Sequence, residues 1–325
     1  MSFDGPLFIV GMPRSGTKLL RELLNRHPRI AIPGVETEFL PWLAAHLGSF
    51  GDLRDPTRFD AFFASISRHT YFELRRREGA VFDAVRWHGT CRDFTPAGVF
   101  EALIRLEVDA PVGSGRIWGD KSPSYVDDLA LIKRLYPSAK VIHIVRDVRD
   151  YCLSIHKAWG KNMPRAAQRW ADGVVAARQA GTALGDDYQE LHYEDLVTST
   201  ESTLRALCVR LGIDFDPRML TLDKPSENLG NARGMSHVVS DNHGAYARLM
   251  SHDVLARIEA IAGDELIASG YALALPARPR RRLSRFEMLT AQLSDGWKLA
   301  RRVHDGSTFF KTALFHLRYF LTTRA

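Results

Sequence analysis

The segment Gly11-Met12-Pro13-Arg14-Ser15-Gly16-Thr17-Lys18 gathers glycines, hydroxyls and cations into one short stretch. Small residues let backbone N–H groups turn inward. Where such a loop opens a helix, the positive end of the helix dipole adds to them, so the loop suits an anionic oxygen cluster such as a phosphate. The spacing comes close to the nucleotide triphosphatase loop, in which glycine and four further residues precede Gly-Lys-Ser/Thr. Here Gly16 is followed by Thr17 and only then by Lys18, so the lysine is displaced by one place. No hydroxyl occupies the position that would ligand magnesium, which argues against a kinase. Arg14, in the middle of the loop, is placed to clamp an oxygen of a group in transfer.

A second constellation is Val145-Arg146-Asp147-Val148-Arg149-Asp150-Tyr151-Cys152-Leu153-Ser154. At the end of an apolar run, Arg146 can make a charge-assisted bond to a phosphate, and Ser154 can donate from the helix that follows. Two other readings compete: Arg146 as a surface ion pair with Asp147 or Asp150, and Asp147 as the acid that ends a Walker B strand. The arginine standing between the apolar run and the acid favours the phosphate. None of the histidines has ligand spacing to another ligand, so no metal site is expected. His143, inside an apolar run, reads as a satisfied core residue.

These side chains need a frame, and the apolar pattern supplies it. Leu7-Phe8-Ile9-Val10, bounded by Pro6 and Gly11, reads as a buried central strand. Leu19, Leu20, Leu23 and Leu24 recur at helical spacing until His27-Pro28 stops the helix. Thr95-Pro96 opens another helix through Val99, Leu103, Ile104 and Leu106. Val141–Val145 is a second core strand, followed by helical periodicity over Tyr151–Trp159 and Ala166–Leu184. Leu191–Glu194 is expected to close a further strand, and Leu204, Leu207, Cys208 and Leu211 mark a helix ended by Gly212. The alternation predicts an α/β fold: a P-loop-like three-layer arrangement with a mainly parallel sheet flanked by helices. Residues 1–275 form its domain. Within it the aromatic and charged stretch 48–92 reads as an insertion over one sheet edge that builds substrate-side surface. A basic helical tail, 276–325, follows.

Pro13-Arg14-Ser15-Gly16-Thr17 followed by Leu19-Leu20 resembles the 5′-phosphosulfate loop of sulfotransferases that use 3′-phosphoadenosine 5′-phosphosulfate (PAPS). The chain is most similar to the branch that holds tyrosylprotein sulfotransferases and many bacterial sulfotransferases, in pieces from about Leu7 to Tyr271. The usual threonine of the loop is Lys18 here. The resemblance implies that Arg14, Ser15, Gly16, Thr17 and Lys18 bind the 5′ end of PAPS, and that Arg146 and Ser154 bind its 3′-phosphate. It places Tyr193 near the nucleotide, and makes Arg233 the nearest match to the basic residue of a late loop that closes over the cofactor. Pro33-Gly34-Val35-Glu36-Thr37-Glu38 resembles the Gly-Glu-Glu-Thr segment that holds the family's base, which makes Glu36 the candidate base and Glu38 its substitute. The alternative role for Glu36 is to cap the helix over Leu40–Leu47. Lys121 in Trp118-Gly119-Asp120-Lys121-Ser122-Pro123 resembles the Lys-Ser/Asp/Thr-Pro element. With Arg14 it is expected to stabilise charge on the leaving oxygen. The implied reaction is sulfonate transfer to a hydroxyl of a carbohydrate, a lipid-linked molecule or a small molecule, with no metal. The alternatives are a P-loop nucleotide or sugar kinase and a non-catalytic nucleotide-binding relative.

With 325 residues, 45% hydrophobic and 25% charged, the composition is that of a soluble globular chain and argues against disorder. Three cysteines make no disulfide framework and point to reduced thiols in the cytoplasm. No apolar stretch is long enough to span a bilayer, and the first residues lack the basic region of a signal peptide. Residues 276–325 hold eleven Lys or Arg against three Asp or Glu, a net of +8; the +6 of the whole less this +8 leaves −2 for residues 1–275. The chain is therefore not a general nucleic-acid binder; its tail is basic. Phe286, Leu289, Leu293, Trp297 and Ala300 recur at helical spacing, as do Phe310, Ala313, Leu314, Leu317 and Leu321. Such a tail docks on its own domain or forms a dimer, the preferred reading, or lies peripherally on anionic lipid.

Overall fold

In the computed structural model, which describes residues 3–225 and 233–300, five strands form one parallel sheet. They are β1 (Leu7–Gly11), β2 (Ile30–Ala31), β3 (Ile117–Lys121), β4 (Lys140–Val145) and β5 (Tyr188–His192), in the order β2-β3-β1-β4-β5. On β1 the side chains alternate between two cores. Phe8 and Val10 enter one layer and Leu7 and Ile9 the other, which is why its sequence is continuously apolar. The helices are α1 (Thr17–Leu24), α2 (Leu40–His46), α3 (Pro56–Ile66), α4 (Thr70–Arg77), α5 (Ala84–Thr90), α6 (Pro96–Glu107) and α7 (Leu129–Leu135). They continue as α8 (Val148–Trp159), α9 (Met163–Thr182), α10 (Tyr193–Thr198), α11 (Thr200–Leu211), α12 (Tyr246–Leu249), α13 (His252–Ala268) and α14 (Arg285–Ala300). None of those in the described residues is long and apolar enough to cross a membrane. Gly212 ends α11 in the left-handed conformation, as its position predicts.

One expectation changes. The fifth strand ends at His192, where it pairs with Val145, and Tyr193 already opens α10 with Glu194 and Asp195 in its first turn. The stretch 48–92 is joined to the main core through its aromatics. Phe59, Phe62, Tyr71, Phe72 and Trp87 of α3, α4 and α5 share the core that starts on Phe8 and Val10. The start of the basic tail is tied to the domain: Arg280 pairs with Asp264 and Glu265, and Arg282 with Asp172. The second apolar series of the tail, Phe310 to Leu321, lies outside the described residues.

Because β1 is central and flanked by β3 and β4, the loops leaving the carboxyl ends of these strands meet in one crevice, the place where parallel α/β sheets bind ligands. Every residue singled out from the two main motifs lies on these loops or on the helices they open.

Candidate functional site

β1 runs into the loop that precedes α1. A Cβ at Gly11 (φ +147°) would stand 2.5 Å from the carbonyl oxygen of Ile144, so only glycine lets the chain pass this close to β4. Arg14 holds φ +75°, a costly conformation for a side-chain-bearing residue and one found at ligand clamps. Gly16 (φ +97°) lies under the Tyr193 ring, which a Cβ would approach to 2.4 Å. Ser15 N donates to Met12 O at 3.1 Å, while its buried Oγ has no hydrogen-bond partner among the described residues. Thr17 opens α1 and is buried; Lys18 follows at its surface, half-buried.

Arg146, at the end of β4, reaches back to this loop. Its guanidinium donates to Arg14 O at 3.2 Å and to Asn242 O at 2.9 Å, and lies 4.2 Å from the centre of the Tyr193 ring. Its Nε is buried with no partner among the described residues, and no carboxylate there lies within ion-pair distance. The neighbouring acids are engaged elsewhere. Asp147 caps α8 and pairs with Arg149 at 2.6 Å, which goes on to Glu259 at 2.8 Å. Asp150 accepts from the amides of Gly244 and Tyr246. This removes both the surface-ion-pair reading of Arg146 and the Walker B reading of Asp147. Arg14 Nε in turn donates to Ser154 Oγ on α8 at 3.4 Å. The first loop thus touches Arg146 through a backbone carbonyl and Ser154 through a side chain. The two phosphate elements read from sequence face the same space. The open Ser15 Oγ and Arg146 Nε are what oxygens of a bound phosphate would fill.

Sequence reasoning missed Asn242. Its carbonyl holds Arg146 and its Nδ2 donates to Tyr193 OH at 2.8 Å, which fixes the ring. The late loop does approach the site, but through Asn242, whereas Arg233 is exposed. Asp241-Asn242-His243-Gly244 carries a turn composition, yet nothing local names its partner.

A second cluster forms between β2 and β3. Buried Arg21 of α1 donates to the carbonyls of Pro33 and Gly34. Beyond them, Thr37 Oγ1 bonds Tyr125 OH at 2.7 Å, and Thr37 N donates to Ser122 Oγ at 3.0 Å. These contacts set Glu36 against Lys121, and the two form an ion pair. Glu36 therefore does not cap α2, whose N-cap is Phe39. Lys121 is 3% exposed and Glu36 39%. Glu38 accepts from Ser124 Oγ at 3.2 Å. Asp120, wholly buried beside Lys121, is pushed up to about 7 by burial, against the pull of the Ser122 and Thr37 hydroxyls and the Lys121 ammonium. A cavity of about 250 Å3 opens over the pair, lined by Lys18, Arg21, Glu36 and Lys121 on one side and by His69, Tyr71 and Leu74 on the other. His143 stands apart from all this: it bonds Tyr188 OH at 2.7 Å, and burial lowers it to about 4. It is the core residue its position predicts.

Residues 6–217 match the model of a sulfotransferase family. The chain is similar to protein-tyrosine sulfotransferase 1 of Danio rerio, 26% identical over 72% of this chain and 59% of the relative. It is also similar to the nodulation protein NoeE of Sinorhizobium fredii, 32% identical over 64% of this chain and 50% of the relative. The chain thus spans between half and three fifths of the length of these relatives. Among solved structures, the sulfotransferase domain of the Synechococcus PCC 7002 olefin synthase is similar at 21% identity and a TM-score of 0.48, over 90% of this chain and 95% of that one. The family match takes in both loops that meet at Arg146 and runs over well over half of the sequence: this chain belongs to the sulfotransferase family.

Proposed function

We propose that this chain moves a sulfonate group from PAPS to a hydroxyl of an acceptor. The observation that carries the reading is Arg146, a buried guanidinium that bridges the phosphate loop and Asn242 with no carboxylate within ion-pair distance among the described residues. Burying such a charge is costly until an anion completes it. A phosphate bonded to Arg146 and Ser154 does so. Ser15, Gly16, Thr17 and Lys18, at the α1 N-terminus, hold the other end of the doubly phosphorylated adenosine. Tyr193 braces Arg146 and the loop beside it, and Arg233 is a further cation available to the late loop.

Bound PAPS supplies the sulfonate. Glu36 accepts the proton of the acceptor hydroxyl as the new S–O bond forms. Lys121 and Arg14 stabilise charge on the phosphate oxygen as the old bond breaks, leaving adenosine 3′,5′-bisphosphate. A sulfonate carries less charge than a γ-phosphate, so these cations suffice without a metal. The acceptor enters the cavity over Glu36, and the region 48–92 supplies its far wall through His69, Tyr71 and Leu74.

The test is transfer from radiolabelled PAPS to a panel of glycans, lipid-linked saccharides and small alcohols. Tyrosine peptides belong in it too, because relatives carry the name protein-tyrosine sulfotransferase. A labelled product that is lost in Glu36→Gln supports the reading. Consumption of ATP with magnesium and no use of PAPS makes the protein a P-loop kinase. Binding of the bisphosphate with no transfer to any acceptor makes it a non-catalytic relative.

A further inference from the structure

A groove runs along the edge of the sheet that β2 forms, between α1 and α4. One part of it is the cavity over Glu36 and Lys121. A second cavity of about 260 Å3 continues it, and Gly34 lines both. Lys18 and Arg21 of α1 line the first and Asn25 the second, at spacings that put all three on one helix face. On α4, Tyr71 and Leu74 give way to Arg75, and along the edge segment Glu36 and Val35 give way to Pro33 and Ile32. The helical rise from Lys18 to Asn25 is ~10 Å, so the groove is longer than one sugar ring.

The polar groups of the second cavity are satisfied from within the chain, except one. Asn25 closes its amide on Ile32, donating to the carbonyl at 2.8 Å and accepting from N at 2.9 Å. Glu107 accepts from Arg75 Nε at 2.7 Å and from Tyr71 OH at 3.0 Å, and Arg75 also pairs with Glu78 at 2.7 Å. Neither Arg75 nor Glu107 is therefore open to a ligand. Arg116, the residue before β3, is different. Its Nη1 donates to Val108 O at 3.1 Å and Asp109 O at 2.8 Å, at the end of α6, which fixes the guanidinium. Its Nε is buried without a partner, and no carboxylate lies within ion-pair distance among the described residues. Arg146 is held in the same way, oriented by carbonyls and not neutralised.

We infer that the second cavity is an acceptor subsite, in which Arg116 receives an oxyanion (carboxylate or sulfate) of a saccharide whose hydroxyl stands at Glu36. The planar fork of an arginine suits a group with two oxygens, and the Nε–Nη2 edge is the one left for it. Lys18, Glu38, His69 and Thr70 line the first cavity, a set that suits a polyhydroxylated occupant. The inference rests on the sulfonate-transfer reading and adds the shape and charge of the acceptor. It is elongated, with its acid ~10 Å from the hydroxyl that reacts.

The experiment follows the Nε–H NMR signal of Arg116, identified by its loss in Arg116→Gln, in the full chain saturated with adenosine 3′,5′-bisphosphate. Inorganic sulfate should shift this signal to saturation. In transfer from radiolabelled PAPS, a saccharide ending in glucuronic acid should show a KM at least ~10-fold higher in Arg116→Gln, with kcat within about twofold. The same saccharide ending in glucose should show no such change, and Arg116→Lys, which keeps the charge without the fork, should recover part of the loss. A sulfate titration without saturation overturns the inference. Saturation with an unchanged KM for the acidic saccharide makes this a site for free anions and overturns the acceptor role. A KM effect confined to acidic peptides gives the groove to a peptide and overturns the saccharide. Saturation in a chain that transfers to no acceptor strikes the sulfonate-transfer reading and leaves Arg116 a site for free oxyanions.

Discussion

Two buried cations stand on the carboxyl edge of the sheet, and they are held in opposite ways. Arg146 is propped by neutral groups, the carbonyls of Arg14 and Asn242 and the face of Tyr193. Lys121 is held by a carboxylate, Glu36, and has a second carboxyl, Asp120, beside it. A cation whose task is to receive an anion is best left oriented but not neutralised, so that the anion meets it without displacing a partner. A cation that works during the reaction can be stored as an ion pair with the group it acts beside. In the proposed reaction the contrast separates a binding charge, Arg146, from a transfer charge, Lys121. It also explains why the acids around Arg146 have other partners: Asp147 has Arg149, Asp150 the Gly244 and Tyr246 amides, and Glu194 the Asp147 amide and the Tyr271 hydroxyl.

The largest effect that sharpens this contrast is on turnover. Glu36→Gln should lower kcat by ~10²–10⁴-fold and leave bisphosphate affinity within about twofold. A parallel loss of affinity in calorimetry would place the Glu36–Lys121 pair in donor binding and erase the distinction. Next comes Asp120, whose folded value of about 7 lies above that of an unfolded aspartate. Its contribution to stability is complete below the unfolded value and is lost as pH rises through the folded one. The shift corresponds to a loss on the order of 4 kcal/mol. Asp120→Asn should therefore flatten the decline in melting temperature between about pH 5 and pH 8; an unchanged decline would show that another group sets it.

Arg146→Ala should weaken bisphosphate binding by ~1.5–3 kcal/mol, with a much smaller change in turnover at saturating donor. A turnover defect without an affinity defect would reverse the roles of the two cations. The smallest effect belongs to Tyr193→Phe, which removes the 2.8 Å bond from Asn242. It should cost ~0.5–1.5 kcal/mol of bisphosphate affinity by loosening the ring under Arg146.

The binding half of the crevice is legible in the sequence because its strands are. β1 and β4 are unbroken apolar runs, so the loops that follow them can be placed and their arginines read as lying at strand ends. The transfer half is not. Lys121 closes a strand spelled Ile-Trp-Gly-Asp-Lys, wholly buried yet without a strand-like pattern, because its polar residues belong to the site. Family resemblance, rather than periodicity, brings Glu36 and Lys121 forward. Residues 48–92 hide their role because their buried aromatics are spread over three short helices, none with a strong period of its own. Asn242 lies beyond local reasoning, since its partner Arg146 is far away in the chain and only the fold joins them.

The central claim is that Arg146 and the Gly11–Lys18 loop hold the two ends of one doubly phosphorylated adenosine. It is tested most directly by calorimetric titration, in EDTA, with adenosine 3′,5′-bisphosphate and with 5′-AMP, which lacks the 3′-phosphate. The bisphosphate should bind at least ~10-fold more tightly, and Arg146→Ala should remove the difference. Equal affinities for the two nucleotides in the parent chain would contradict it.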